Sequence, residues 1–509
     1  RFILISGEAG SGKSVLCKKL LENKKNVLCS RAEKLVEEGD VNKIWNFNIK
    51  DTIGLVKDDV YIYIDALEFI ADNRNRLDVL DSLLKRLNDL DNAYFLCSCR
   101  TSDLASFIKT ITKYNIVEYR TKPVNKTILN GISEKLPILS KIISDSKYDS
   151  LLVNPFYINF LTKFNNFKSI EDENQLRKKI WKEIICSNDD SVEPIITEIV
   201  LERATKFILY SNASNYDKNI IDKLISNGIL IKNENGIRLK YDIFEDICFE
   251  QYIDNIFDVS KGDYTQFFKK LEDIGRCIYR RYQIWIENKL FSKNNRKKFL
   301  YTLIFTESIT EFWAQQSIIG IIKSTYCHEL FEEYSSEIID NNLLIKFINI
   351  TNIYGFEIDS VSYNIGTFVL KNKGFGRNAL IKIIYENEIF KTDLKNENSI
   401  KKLIFDYTNL LTDENTSKYS FEILKYYVDK TLKSDYLYDL VKKEIESIYK
   451  LQNVADNWIK KFFLSLRSYI NNENENKIDF ANDAIKDILS MNCLCLIENY
   501  TSCIIEFYD

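Results

Sequence analysis

A glycine-rich segment near the start of the chain constrains the fold most strongly. Residues 7–14 read Gly-Glu-Ala-Gly-Ser-Gly-Lys-Ser and match the pattern G-x-x-x-x-G-K-S/T. The apolar run 2–5 precedes them, and the helical pattern 15–21 follows them. A loop between a strand and a helix turns its backbone N–H groups inward around an anion. The order predicts a phosphate-binding loop within an α/β domain, and a chance glycine turn is the alternative.

The residues of this loop have separate predicted roles. Lys13 is expected to reach the β- and γ-phosphate oxygens, and the Ser14 hydroxyl is expected to ligate Mg²⁺. The backbone around the phosphates is expected to come from Gly7, Gly10, Ser11, Gly12, Lys13, Ser14 and Val15. The predicted cofactors are therefore ATP or ADP together with Mg²⁺.

Further apolar runs, rich in Ile, Val, Tyr and Phe, occur at 26–29, 60–64 and 93–98, with helical stretches between them. Strands that alternate with helices predict a parallel sheet. The run 60–64 ends in Asp65, as a Walker B strand should, and Asp65 is expected to hold the water shell of Mg²⁺. Three residues later, Glu68 is predicted to polarise the attacking water. The alternative is that Glu68 is an exposed acid at the start of a helix.

Arg100 follows the run 93–98 at the exit of the next predicted strand. A guanidinium group matches phosphate geometry with two parallel hydrogen bonds, so Arg100 is predicted to sense the γ-phosphate. The alternative is an ion pair between Arg100 and an acid at the sheet edge. The predicted catalytic residues of a slow, switch-like ATPase are Lys13, Asp65, Glu68 and Arg100, and the predicted metal ligands are Ser14 and Asp65.

The rest of the chain reads as helical, with one hairpin signal. Helical patterns flank the segment 229–241, whose polar turn Asn-Glu-Asn-Gly separates two short apolar runs, and this order favours a winged helix. No proline follows Pro194 and no fixed repeat period is found. The predicted domains are a P-loop NTPase α/β domain (1–125), a helical lid (126–194), a winged helix (195–256) and an all-α, solenoid-like sensor domain (257–509).

Composition excludes several classes of protein. The 509 residues include one His, so a two-histidine zinc site and a histidine-relay hydrolase cannot be assembled. The formal net charge of −4 offers no broad attraction for nucleic acid or an anionic membrane. The 11 cysteines lack repeated C-x-x-C spacing, and no stretch reaches 18 apolar residues. We expect a cytoplasmic protein with neither a membrane nor a nucleic-acid partner. Because the chain begins at Arg1 inside a strand, we also expect an upstream segment.

The order of these motifs resembles the STAND class of signalling NTPases, the NACHT and related group, and bacterial antiviral STAND (Avs) proteins in particular. The run 64–68 is similar to the second acidic motif of that class, and 98–100 to its Thr-Ser-Arg sensor. Asn154-Pro155 resembles the site of the lid proline, and 239–244 that of Phe-x-His-Asp-x-Phe. The resemblance extends to about residue 325.

The resemblance implies an ATP-dependent immune switch. Its helical half would recognise a foreign macromolecule, a phage protein, and release the nucleotide module to form a homo-oligomer that activates an upstream effector domain. Pro155 and Tyr241 would contact the nucleotide. Two departures leave hydrolysis and ADP retention open: Phe69 stands beside Glu68 where a second acid is usual, and Tyr241 replaces the histidine that holds ADP. Alternatively, Tyr241 packs in the core of the winged helix.

Two other functions fit parts of the sequence. A DNA-binding ATPase of the initiator or transcription-regulator kind also combines a P-loop with a winged helix, but it needs a basic recognition helix. The segment 220–226 offers only Lys223, and 242–252 carries four acids. A scaffold with a degenerate nucleotide site is the third possibility. DNA affinity that depends on salt would identify the DNA-binding ATPase, and absence of ATP turnover would identify the scaffold.

Overall fold

The computed structural model describes residues 1–433, apart from gaps at 71–73, 108–109, 111–112, 165–166, 207, 261, 291–292, 307–308, 355, 363–366, 373, 393 and 409–413. It forms two compact units: the first contains Arg1–Asn288 and Glu357–Leu370, and the second contains Lys289–Phe356 and the described residues from Lys371 onward. The four-domain division stays a prediction. The part of the predicted sensor domain from residue 434 onward lies outside the described residues.

The first unit begins with a five-stranded parallel sheet of order β2-β3-β4-β1-β5. Its strands are β1 (Phe2–Gly7), β2 (Asn26–Arg31), β3 (Val60–Asp65), β4 (Ala93–Arg100) and β5 (Val117–Arg120). Helices follow the strands in alternation, and the predicted α/β architecture of a P-loop NTPase domain is confirmed. Parallel strands that are covered on both faces read as continuous apolar runs, which explains the sequence pattern.

Two hydrophobic layers cover the faces of this sheet. The helices are α1 (Lys13–Leu21), α2 (Ala32–Glu38), α3 (Val41–Ile44), α4 (Ile49–Leu55) and α5 (Arg74–Asn88). In the larger layer, alternate residues of the strands pack against helices α2, α3, α4 and α5. Helix α5 contributes Leu80, Leu83, Leu84 and Leu87 at helical spacing. The smaller layer packs Cys17 and Leu21 of α1 on Ile5, Tyr63 and Leu96.

The sheet order brings the chemically important strand ends together. Because β4 lies between β1 and β3, the carboxyl ends of these strands meet at one edge. The register pairs Gly7 with Arg100 and, on the neighbouring strands, Arg31 with Asp65. In open parallel sheets, ligands bind at this carboxyl edge.

Helices make up most of the first unit beyond the sheet. They are α6 (Lys126–Ser133), α7 (Pro137–Ile143), α8 (Pro155–Leu161), α9 (Glu173–Lys179), the π-helical turn Ile180–Ile185 and α10 (Val192–Lys206). Side-chain caps define several starts: Asn125, Asn154 and Asp172 each accept a hydrogen bond from a backbone N–H of the first turn. Such caps satisfy donors that a helix start leaves without a partner.

A helix, a hairpin and a helix follow in the predicted order. They are α11 (Lys218–Ser226), β6 (Leu230–Asn233), β7 (Gly236–Leu239) and α12 (Asp242–Val259), with β6 and β7 antiparallel. Ser211 adds an isolated bridge to Ile237. Two more helices follow, α13 (Tyr264–Ile274) and α14 (Tyr279–Lys289). The assignment of this region as a winged helix stays a prediction.

The part of the C-terminal half that the structure describes is mostly helical, as predicted, with one departure. Its helices are α15 (Lys293–Phe305), α16 (Glu311–Lys323), α17 (Cys327–Glu333), α18 (Ser335–Asp340), α19 (Leu344–Tyr354), α20 (Gly374–Glu386), α21 (Ile389–Thr392), α22 (Glu397–Thr408) and α23 (Glu414–Lys433). A two-stranded sheet, β8 (Phe356–Ser362) and β9 (Thr367–Asn372), interrupts them. β-Branched residues in both runs, Ile358 and Val361 before an Asn-Ile-Gly sequence and Thr367 and Val369 after it, favour this hairpin over the predicted all-α pattern. None of the described helices is both long enough and apolar enough to cross a bilayer.

We expect Asn92→Ala to destabilise the first unit. The Asn92 side-chain amide, just before β4, donates to the carbonyls of Ile53 and Val56 at the end of α4, at 3.1 and 2.8 Å. Their loss should lower the free energy of unfolding by about 1–2 kcal/mol. Denaturant unfolding measures the change. Asn88→Ala is the control, because it removes the same amide from an exposed position; equal midpoints for the two variants would contradict the assignment.

Candidate nucleotide-binding site

The glycine-rich segment forms a tight loop between β1 and α1. Gly10 and Gly12 have φ angles of 78° and 90°, in the left-handed region that other residues rarely adopt. A Cβ atom on Gly10 would also lie 2.7 Å from Cβ of Phe156, the second residue of α8. The loop therefore needs glycine both for its backbone and for its close approach to the start of α8.

Lys13 lies inside this loop. Its side chain is buried, and Nζ donates to the carbonyls of Gly7 and Glu8 at 2.9 and 2.8 Å. Both acceptors are neutral, so neither cancels the ammonium charge. An anion in the loop would meet this charge together with the positive end of the α1 dipole.

Asp65, the last residue of β3, is fixed by three hydroxyl groups. Its Oδ1 accepts from Ser14 at 2.9 Å, from Tyr63 at 2.7 Å and from Ser98 at 2.6 Å. Adjacent ligands of an octahedral ion with bonds of about 2.1 Å lie about 3 Å apart, which matches the distance from Ser14 Oγ to Asp65 Oδ1. This pair of hard oxygen atoms therefore fits Mg²⁺.

Glu68 lies in the 3-10 turn Leu67–Ile70, directly beyond Ala66, a non-glycine residue with φ of 65°. Its Oε1 accepts from Arg100 Nε at 3.1 Å, and its Oε2 is buried without a hydrogen-bond partner in the described part of the chain. Burial raises the pKa of the Glu68 carboxyl, against the opposing charges of Arg100 and Lys13. The alternative of an exposed acid is wrong, since Glu68 is only 9% exposed. A buried carboxyl with a raised pKa and a free oxygen suits a general base.

Arg31 and Arg100, which end β2 and β4, are here called the edge arginines. Arg100 NH2 lies 2.8 Å from Asp246 Oδ2, and Arg31 NH2 lies 3.0 Å from Asp242 Oδ1. Arg31 NH1 also lies 3.8 Å from Asp65 Oδ2. Arg100 is therefore paired with acids at the sheet edge, as its alternative interpretation held, and its role as a phosphate sensor stays a prediction.

The acids that meet the edge arginines belong to α12. Asp242 and Asp246 are four residues apart and so lie on one face of this helix. Burial disfavours the charge of Arg100, but Asp246 and Glu68 outweigh it and raise its pKa. Burial likewise opposes ionisation of Asp242, and Arg31 and Arg238 overcome it and lower its pKa to about 2. Arg100 and Asp242 are therefore charged near neutral pH.

Sequence reasoning missed this contact. It treated the acids of 242–252 as groups that would repel DNA, included Asp242 in the family resemblance of 239–244, and gave Arg31 no role. The available signal was weak: three strands end in arginine, at Arg31, Arg100 and Arg120, and acids recur at helical spacing in α12. Neither pattern identifies its partner without the tertiary structure.

Residues next to Pro155 and Tyr241 connect them to the glycine-rich loop. Pro155 is the first residue of α8, and the preceding Asn154 donates from Nδ2 to the carbonyl of Ala9 at 2.9 Å. The Tyr241 ring is 42% exposed, with its centroid 6.5 Å from that of Phe156 and 5.2 Å from that of Phe244. Tyr241 thus contacts Phe244, as its packing alternative held, but it is exposed and does not lie in a core. Nucleotide contacts of Pro155 and Tyr241 stay predictions.

The remaining predicted loop residues differ in their surroundings. Ser11 Oγ accepts from Thr121 at 3.0 Å, which joins the loop to the segment after β5. Val15 is 72% exposed on α1, so only its backbone N–H can serve the loop. Within the described chain, the predicted catalytic residues Lys13, Asp65, Glu68 and Arg100 all lie at the same sheet edge.

Several solved structures share part of this fold. They are a Walker-type ATPase of Pyrococcus abyssi (13% identity, 48% of this chain and 90% of that chain, TM-score 0.28), the Aeropyrum pernix ORC1 protein in complex with DNA (12%, 49% and 86%, 0.27) and AMPPCP-bound DnaA from Aquifex aeolicus (19%, 39% and 66%, 0.25). Each likeness covers half of this chain or less and is weak. No protein-family model matches the sequence, and no curated protein matches it.

We expect Lys13→Ala to abolish measurable binding of ATP while the protein stays folded. The substitution removes the cation held inside the loop, and the hydrophobic layers on the sheet do not include Lys13. Calorimetric titration with ATP measures the affinity. Lys18→Ala, which removes an exposed lysine from the same helix, is the control. Wild-type affinity in the Lys13 variant would exclude this loop as the nucleotide site.

Asp65→Asn should weaken the Mg²⁺ dependence of nucleotide binding. An amide oxygen is a poorer ligand for this hard cation than a carboxylate, so the Mg²⁺ concentration at half-maximal binding should rise about tenfold. A Mg²⁺ titration at fixed ATP gives this value, with Asp58→Asn as the control at an exposed position before the same strand. A titration curve identical to that of the wild type would remove Asp65 from the metal site.

Proposed function

We propose that this chain is a STAND-type switch that binds ATP, hydrolyses it slowly and changes conformation according to the bound nucleotide. One observation carries the proposal. The edge arginines lie at the carboxyl edge of the sheet, beside Lys13 and Asp65, and both are ion-paired to carboxylates of α12. Acids of a helix that is distant in sequence are thus paired with the arginines that a phosphate at this edge would attract.

Competition for the edge arginines provides the switching mechanism. Guanidinium binds phosphate and carboxylate in the same geometry. Asp246 therefore competes for Arg100 with a γ-phosphate that is bound beside Lys13. Arg100 and Asp246 are 13% and 6% exposed, and a charge left buried without its partner is costly. Occupancy of the site and the position of α12 are therefore coupled. Such coupling free energies are typically about 1–3 kcal/mol.

Hydrolysis would use the residues beside this contact. Glu68 Oε2, which has a raised pKa and no described partner, accepts the proton of the attacking water. Lys13 and Arg100 stabilise the negative charge that develops on the transferred phosphoryl group. Mg²⁺ held by Ser14 and Asp65 would neutralise charge on the β- and γ-phosphates. Turnover is slow because Arg100 in this conformation is engaged by Glu68 and Asp246.

The signalling part of the proposal draws on the sequence resemblance to STAND proteins. In it, the helical half recognises a foreign protein, of phage origin, in the cytoplasm. Recognition releases α12 from the edge arginines, the nucleotide module assembles into a homo-oligomer, and an upstream effector domain is activated. The acids and arginines described here supply the release step.

The competing functions make different predictions. In the DNA-binding alternative, α12 or α11 would have to face a phosphate backbone, but Asp242, Glu245 and Asp246 of α12 face arginines of this chain. DNA affinity that falls steeply with salt would favour that alternative. Nucleotide binding without any turnover would favour the scaffold with a degenerate site.

The test of the switch is Asp246→Asn. Loss of this carboxylate removes one of the two acids that engage Arg100, so affinity for ATP should rise relative to affinity for ADP by about 5- to 150-fold, and ATP should promote assembly. Calorimetry gives both affinities, and light scattering gives the mass with each nucleotide. Asp258→Asn removes an exposed acid from the same helix and should change neither quantity. An unchanged ratio of ATP to ADP affinity in Asp246→Asn would contradict the proposal.

A further inference from the structure

An arginine from α14 joins the two turns that carry Glu68 and Arg100. Arg280 NH1 donates to the backbone carbonyl of Glu68 at 2.6 Å and lies 3.0 Å from Asp103 Oδ1. Asp103 belongs to the 3-10 helix Thr101–Phe107, which begins immediately after Arg100. One guanidinium therefore holds the segment after β3 to the segment after β4.

The separation of these two segments bears on the position of Glu68. Glu68 is held by a four-residue turn that follows Ala66, whose left-handed backbone is strained for a non-glycine residue. The hydrogen bond from Arg100 Nε to Glu68 Oε1 spans the two segments, so its length depends on their separation. Arg280 fixes that separation by binding the backbone carbonyl of Glu68 and the side chain of Asp103.

We propose that Arg280 is a positioning residue for Glu68, and that it holds the free Oε2 of this carboxyl where the attacking water must be activated. The inference rests on the proposed ATPase function.

The neighbouring residue extends the contact to α12. Arg281 lies 3.9 Å from Glu245 Oε2 and 4.0 Å from Asp246 Oδ1, and its guanidinium carbon lies 4.8 Å from the centroid of the Phe249 ring. Arg280 thus binds the turn that contains Glu68, and the next residue, Arg281, contacts α12. Movement of α12 would therefore reach Glu68 through Arg280 as well as through Arg100.

The experiment compares steady-state ATP hydrolysis by Arg280→Gln, Arg280→Lys and the wild type. We expect Arg280→Gln to lower kcat about 10- to 100-fold, because a small displacement of a base costs that much, while KM stays within about twofold. Arg280→Lys keeps a cation that can reach Asp103 and should recover part of the loss. Arg276→Gln is the matched control, since it removes an arginine whose side chain is 63% exposed just before the same helix.

A double-mutant cycle separates positioning from general damage. If Arg280 acts through Glu68, adding Arg280→Gln to Glu68→Gln should not lower kcat further. An additional fall of the same size as in the wild-type background would overturn the inference, as would an equal fall in Arg276→Gln. If Arg280→Gln does not fold, judged by its thermal unfolding and ADP affinity, Asp103→Asn removes the same link and takes its place.

The wild-type rate distinguishes failure of the inference from failure of the proposed function. A wild-type chain that binds ATP without turning it over would overturn the ATPase proposal and this inference together. Turnover by the wild type, with an unchanged kcat in both Arg280→Gln and Asp103→Asn, would overturn only the role of Arg280.

Discussion

The ion pair between Arg100 and Asp246 is the contact on which the candidate site depends. Arg100 lies between Glu68 and Asp246, and all three side chains are largely buried. Buried charges are tolerated only when each has a partner, because desolvation otherwise outweighs their attraction. Removing one charge from this group therefore changes the energy of the others. Glu68, the edge arginines and α12 consequently form one electrostatic unit rather than separate features.

Sheet topology makes this unit possible. Insertion of β4 between β1 and β3 places Arg100 beside the glycine-rich loop and Asp65, although the three lie far apart in sequence. The same edge receives α12 and the first turn of α14, which bring acids and arginines respectively. Any group that binds in the loop therefore enters a region in which Lys13 has neutral acceptors but the edge arginines already have acidic partners. In the proposed switch, phosphate would have to displace a carboxylate from Arg100.

The candidate site was only partly predictable from sequence. Lys13, Ser14, Asp65, Glu68 and Arg100 were identified because each stands at a fixed distance from a strand or loop. The partners of these residues were not identified: Ser98 on Asp65, Asp246 on Arg100 and Arg280 on the Glu68 carbonyl. Each partner comes from a different element, and its sequence neighbourhood carries no distinguishing pattern. The hairpin of β8 and β9 was missed for a related reason, since short alternating runs are ambiguous beside long helical ones.

By itself, the sequence determined what depends on local order: the glycine-rich turn, the alternation of apolar strands with helices, and the acid and arginine at two strand ends. Backbone conformation and periodic burial act over a few residues, so these features are visible in the chain itself. Only the tertiary structure decided which charges meet. Several acids of α12 and α14's two arginines were chemically equivalent candidates in the sequence. The choice of Asp242 for Arg31, Asp246 for Arg100 and Arg280 for Glu68 depends on distance and burial, which packing alone establishes.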